Sequence, residues 1–106
     1  DFFLTKEVMY WFRDKYLESE ESFKDPLISP LFAKDLSQQP PAVVVTAGFD
    51  VLRDEGEAYA KLLKSFDVET YYHEYQGYIH GFINMEIVRG VNDSIIKFCN
   101  DFKKIN

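Results

Sequence analysis

The chain has 106 residues, 46% of them apolar, with ten Phe, seven Tyr and one Trp, enough material for one packed core and too much for a disordered chain. A net charge of −6 with scattered basic residues offers nothing to displace counterions from phosphate, which argues against nucleic acid or an anionic membrane as partner. No apolar run approaches the roughly 18 residues that span a bilayer, no signal-peptide pattern precedes the first predicted helix, and the single cysteine, Cys99, permits no internal disulfide, so a cytoplasmic, reducing location is expected.

The chain opens on Asp1 rather than methionine, as a processed chain or one cut from within a longer sequence would. Residues 5–17 are expected to be helical. Thr5 can cap the N-terminus, and Val8, Trp11, Phe12 and Tyr16 recur at three- and four-residue spacing, with Met9 and Leu17 widening the face. The run Glu18-Ser-Glu-Glu-Ser22 is polar and reads as exposed. Four prolines between Asp25 and Pro41 predict an extended connection, because proline fixes φ and biases the residue before it away from helix. Leu27, Ile28, Leu31, Phe32 and Leu36 within it predict that the connection lies against a surface.

Residues 42–47 are apolar apart from Thr46, where a strand with one wet face would alternate; such a run predicts a parallel strand covered on both faces. A glycine-containing turn is expected to follow, with Asp50 where the strand's C-terminal end opens. Residues 52–66 predict a helix with Tyr59, Leu62, Leu63 and Phe66 on one stripe, and Asp54, Glu55 and Glu57 suit the positive end of its macrodipole. Residues 68–75 alternate imperfectly and predict a more exposed strand near a sheet edge. Residues 92–105 predict a last helix with Ile95, Phe98, Cys99 and Phe102 on one stripe. Strand, helix, strand is a βαβ unit. Two strands make a marginal sheet, so the remainder is expected to come from a missing N-terminal part or from another copy of the chain.

The candidate chemistry sits at the ends of the two strands. Asp50 is either a helix N-cap or a carboxylate delivered to the place where open α/β sheets bind their ligands. His80 is either a solvated loop residue or a functional imidazole, with Gly77 and Gly81 allowing a tight loop and a close approach. An acid and an imidazole in these positions are two thirds of a hydrolytic triad. His73, beside Glu74 in a strand, reads as a surface residue. Asp50, Asp54, Glu55 and His80 carry no zinc-type spacing, no Gly-rich loop matches a phosphate fingerprint, and nothing calls for paired-carboxylate glycoside chemistry. Cys99, on an apolar stripe, reads as core rather than nucleophile. No metal or other cofactor is expected.

The run from Pro40 through Asp50-Val-Leu-Arg-Asp54-Glu-Gly-Glu-Ala-Tyr-Ala60, followed by Gly77-Tyr-Ile-His80-Gly-Phe82, resembles the C-terminal part of the hormone-sensitive-lipase-like carboxylesterases and lipases of the α/β-hydrolase superfamily. The resemblance covers nearly the whole chain. It implies an α/β fold: the C-terminal part of an α/β-hydrolase, one βαβ unit plus flanking helices with an incomplete parallel sheet. By it, residues 1–39 are a cap-associated helix and extended connector, and residues 40–106 carry the triad acid, Asp50, and the triad base, His80. It further implies a small ester as substrate, with the triad in the chain order Ser, acid, His. Arg53 and Asp54 match the turn and helix start and read as a structural brace. Val51 stands where the family commonly has proline.

The departure is an absence. Ser19, Ser22, Ser29, Ser37, Ser65 and Ser94 all lack the flanking glycines of a Gly-x-Ser-x-Gly elbow, and there is no Gly-rich oxyanion loop. In the resembled family both lie upstream of the region matched here. The expectation is therefore a portion of a serine carboxylesterase that supplies acid and base but does not turn over alone. The alternative is a non-catalytic α/β module that self-associates through the open side of its sheet.

Overall fold

The computed structural model describes residues 3–105; the side chain of Glu21, in the acidic run, lies outside the described set. In order come helix α1 (Lys6–Tyr16), strand β1 (Ala42–Phe49), helix α2 (Arg53–Ser65), strand β2 (Thr70–Ile79) and helix α3 (Val91–Phe102), with short 3-10 turns at Glu20–Lys24, Pro30–Phe32 and Phe82–Asn84. β1 and β2 are parallel, as a strand–helix–strand unit requires.

Each face of this two-stranded sheet carries a helix. On one face, Ala42 and Val44 pack with Tyr59, Leu62, Leu63 and Phe66 of α2, together with Leu36 and Val68. On the other, Val45 and Ala47 pack with Phe82, Val91 and Ile95, joined by Tyr75 and Tyr78. The period-two alternation of a strand sends neighbouring residues of β1 to opposite helices, which is why the run tolerates almost no polar residue. Thr46 is the exception, and its hydroxyl is hydrogen-bonded to that of Tyr72 at 2.8 Å.

The first half of β1 is nevertheless only half-buried. Among the described residues β1 pairs with β2 alone, so one of its edges is open. The Cα radius of gyration, 15.2 Å, exceeds the roughly 13 Å of a compact domain of this size. Helix α1 accounts for part of the spread. Thr5 caps it, its hydroxyl accepting the Val8 N–H at 3.3 Å, yet α1 buries no residue, and Trp11, Phe12 and Tyr16 stand exposed. The connector lies against the surface through buried Leu36, while Leu27 projects from it at 92% exposure.

Two expectations fail in α3. Its buried stripe runs through Val91, Ser94 and Ile95 rather than towards Cys99, which is exposed. A rotation of about 100° per residue from that stripe leaves Cys99 beside the interface rather than in it. His73 is no surface residue either. Its side chain is 13% exposed, and its Nε2 lies 2.8 Å from Oδ2 of Asp101 on α3, whose other oxygen is bonded to Lys104. The pair pins the last turn of α3 to β2. Among the described residues no helix is long and apolar enough to cross a membrane.

Leu63, 1% exposed, anchors the α2 face, and Leu63→Ala is expected to cost about 2–5 kcal/mol in denaturant unfolding, against about 0.5 kcal/mol or less for Leu27→Ala. The Lys104 ammonium, with His73, holds the Asp101 carboxyl below its ordinary value. A depressed carboxylate contributes stability that is present above the ordinary aspartate pKa of about 3.9 and lost as pH falls through the folded value. Asp101→Asn is therefore expected to lower the Tm at pH 7, and the difference from the unsubstituted chain is expected to shrink as pH falls through the folded value, as followed by thermal melts across the acid range.

Candidate active site

Asp50 follows β1 directly and His80 follows β2 directly. In an untroubled parallel ladder they would not meet. Ala42 to Ala47 pair with Thr70 to Tyr75 at a constant offset of twenty-eight, so the residue opposite Asp50 would be Tyr78. The ladder breaks after Ala47, and pairing resumes at Phe49 with Ile79, an offset of thirty. Gln76, Gly77 and Tyr78 thus stand opposite Gly48 alone. This two-residue bulge in β2 is what brings His80 level with Asp50, and bulges commonly re-aim side chains in this way.

The bulge also accounts for Gly48. A Cβ there would lie 2.4 Å from the Gln76 carbonyl oxygen and 2.5 Å from its Cα, both backbone atoms that have no rotamer to yield. Gly48 therefore lies inside the strand as a point of close approach, not in a turn as its sequence context suggested. Of the two glycines beside the histidine, Gly77 meets nothing within 4 Å, whereas Gly81 adopts φ +74°, a left-handed conformation that glycine reaches without strain. After it, Phe82 is buried against Tyr75 and Tyr78, and Tyr78 donates to the Arg89 carbonyl at 3.2 Å, which ties down the segment after His80.

Both oxygens of Asp50 are used. Oδ1 accepts the Leu52 N–H at 2.9 Å, a local bond that closes the turn into α2, and Oδ2 lies 2.8 Å from Nδ1 of His80. The residue preceding α2 is Leu52, which makes no side-chain cap bond, so Asp50 acts on the helix start from one turn upstream. Its side chain is 11% exposed and that of His80 38%. A neutral imidazole bonded to a carboxylate through Nδ1 carries its proton there and leaves Nε2 as a lone-pair acceptor. The Asp50 contact thus favours the tautomer protonated at Nδ1, and among the described residues Nε2 makes no hydrogen bond.

Asp50 and His80 border a cleft of about 440 Å³ walled by Phe23, Ile28, Leu31 and Phe32, apolar residues of the connector. A neighbouring groove of about 390 Å³ runs between α1, through Tyr10 and Tyr16, and Val51 and Leu52 at the start of α2. Among the described residues no three His, Cys, Asp or Glu side chains gather as metal ligands. Asp54, one of the acids weighed for that role, is 81% exposed and paired with Arg53. Ser29 borders the same cleft as His80, but among the described residues no serine hydroxyl is hydrogen-bonded to that histidine. The bulge and the Gln76 contact are what sequence reasoning missed. The signal for them was present: a glycine inside an otherwise apolar run marks a bulge or a close backbone approach.

A βαβ unit with helices on both faces, whose polar groups gather beyond the carboxyl ends of its strands, defines an α/β protein with its ligand end at those strand termini. A family model described as alpha/beta hydrolase fold matches residues 1–84. The carboxylic ester hydrolase LipN of Mycobacterium tuberculosis is 44% identical over 85 residues, 79% of this chain and 23% of that protein. An arylesterase of Saccharolobus solfataricus is 47% identical over 68 residues, 64% of this chain and 22% of that one. Among solved structures, an esterase of Pyrobaculum calidifontis superposes with a TM-score of 0.89 at 40% identity, over 97% of this chain and 34% of the esterase. The chain belongs to the α/β-hydrolase family, on its esterase and lipase branch. It spans about a quarter of the length of the curated relatives it matches.

Gly48→Ala is expected to destabilise the chain by about 1–3 kcal/mol, because the added carbon meets rigid backbone. Gly77→Ala, in open space one residue beyond Gln76, is expected to stay within about 0.5 kcal/mol of the parent. Denaturant unfolding of the two variants side by side checks the contrast.

Proposed function

We propose that this chain is the C-terminal portion of a serine carboxylesterase or lipase that hydrolyses short-acyl esters through an acyl-enzyme. The observation that carries the reading is the 2.8 Å contact between Oδ2 of Asp50 and Nδ1 of His80 at the ends of adjacent strands. Three relatives bear the names carboxylic ester hydrolase, arylesterase and lipase, which supports the substrate class. In this reading His80 Nε2 takes the proton of a serine hydroxyl as the oxygen attacks the ester carbonyl, and then returns it to the departing alcohol. Asp50 holds the ring in the required tautomer and stabilises the imidazolium formed between these steps.

The serine and the oxyanion donors are assigned to the rest of a longer protein. The open edge of β1 supports this division, since a strand so apolar is built to be flanked on both sides. Residues 1–39 are assigned to the substrate-covering part, on the ground that α1 and the connector wall the two clefts at the Asp50 end of the sheet. The exposed, unpaired thiol of Cys99 suits a reducing, cytoplasmic setting.

The test is hydrolysis of a p-nitrophenyl acyl ester by the chain of residues 1–106 and by a chain extended upstream through a Gly-x-Ser-x-Gly elbow. The extended chain is expected to turn over. His80→Ala is expected to lower kcat by about 10⁶-fold and Asp50→Asn by about 10⁴-fold. Serine-dependent turnover by the 106-residue chain alone would refute the division of the triad, and an inactive extended chain that self-associates would favour a binding module instead.

A further inference from the structure

We propose that Arg53 is a positioning residue for the Asp50–His80 pair, acting through the carbonyl of Gly48 at the bulge.

The turn between β1 and α2 is cross-tied at four points. Arg53 Nη1 donates to the Gly48 carbonyl at 3.2 Å, and the backbone N–H of the same residue donates to the Asp50 carbonyl, also at 3.2 Å. Leu52 N–H holds Asp50 Oδ1, and the other edge of the guanidinium is held by Asp54, from Nε at 2.8 Å and Nη2 at 2.7 Å. The planar fork spans a carboxylate and a carbonyl at once, which an ammonium group does not.

Gly48 is the residue opposite the bulge and has no register partner of its own. Its carbonyl stands where the ladder register shifts and where a Cβ is forbidden, so no side chain at position 48 can help to fix it. Arg53 supplies that restraint from the helix side. Two residues further along the chain is the carboxylate whose direction decides whether Oδ2 meets Nδ1. The Arg53–Asp54 pair is largely solvent-exposed, at 43% and 81%, and such pairs contribute little to stability. Its effect is therefore expected on alignment rather than on folding.

The kinetic part of this inference rests on the esterase reading; the alignment part does not. The experiment measures kcat and KM for p-nitrophenyl ester hydrolysis by the full chain, its Tm, and the far-downfield proton resonance of His80 Nδ1–H, assigned by its loss in His80→Asn. Arg53→Met is expected to lower kcat about 10- to 100-fold with KM within about twofold, since small misplacements of a reacting group cost on this order, and to weaken or broaden the resonance while the Tm stays within a few degrees. Arg53→Lys, which reaches one partner but not both, is expected to recover part of each signal. Unchanged kcat and resonance in Arg53→Met overturn the inference, and so does a fall in Tm alone. If Arg53→Met does not fold, Arg53→Lys and Asp54→Asn carry the same readouts, and parental values in both overturn it. A full chain without esterase activity whose His80 resonance still answers to Arg53 would remove the esterase reading and leave the positioning role intact.

Discussion

The structure depends on a mismatch of two residues between its strands. Parallel strands of one register keep a fixed offset, and any pair of side chains beyond their ends inherits it. The offset of twenty-eight that packs Ala42 to Ala47 against Thr70 to Tyr75 is wrong for an acid and a histidine thirty positions apart. Inserting three residues opposite one corrects it. The correction fixes the identity of Gly48, which must admit the Gln76 backbone and whose carbonyl accepts from Arg53. Gly81 turns the chain away directly after His80, and the ring stack of Tyr75, Tyr78 and Phe82 anchors the segment beyond that turn. Candidate site and fold are thus joined at one irregularity: below it the ladder serves packing, and above it the two strand ends carry the Asp50–His80 pair.

The same sheet explains the uneven burial. β1 has helices on both faces but a neighbour on one edge, and its first four residues remain half-exposed despite being entirely apolar. Covering both faces without closing the edge leaves backbone and side-chain flanks in water, a state that edge strands in finished sheets avoid through charge, proline or twist. β1 carries no charged residue and no proline. β2, with Thr70, Glu74 and Gln76, has the polar content suited to an outer position. The exposed aromatic face of α1 is the matching feature outside the sheet. The relatives are roughly three to four times longer than this chain.

The regular elements were legible because their signals are local. Thr5 as a cap, the Tyr59, Leu62, Leu63, Phe66 stripe and the continuous apolar run of β1 each state their structure in a window of a few residues, and the helix and strand limits fell within four residues of expectation. Asp50 and His80, which the structure brings to 2.8 Å, stood out as candidates because each lay beside turn residues at the end of a strand. What was hidden depended on distance in three dimensions. Gly48 signals a close approach within β1, but that Gln76, twenty-eight residues away, is what approaches it cannot be read from the residues around either. Cys99 was misread because helix phase cannot be set from one apolar stripe when Val91 and Ser94, a β-branched residue and a small polar one, are the buried pair. His73 was misread because its partner lies twenty-eight residues away on another element.

That second histidine sharpens what singles out the first. His73 and Asp101 stand 2.8 Å apart, the same separation as His80 and Asp50, so the contact alone does not distinguish a latch from a site. The surroundings do. His73 lies mid-strand, is 13% exposed and meets its acid through Nε2, and that acid's second oxygen is taken by Lys104. His80 lies beyond the strand, is 38% exposed and meets its acid through Nδ1, which leaves the outer nitrogen directed away from the carboxylate and beside a cleft with apolar walls. In Asp50 the second oxygen is spent on the turn that carries the residue, fixing its direction rather than neutralising it. The mid-strand pair ties β2 to α3, whereas the pair beyond the strand ends lies at the carboxyl edge of the sheet, where open α/β sheets place their ligands.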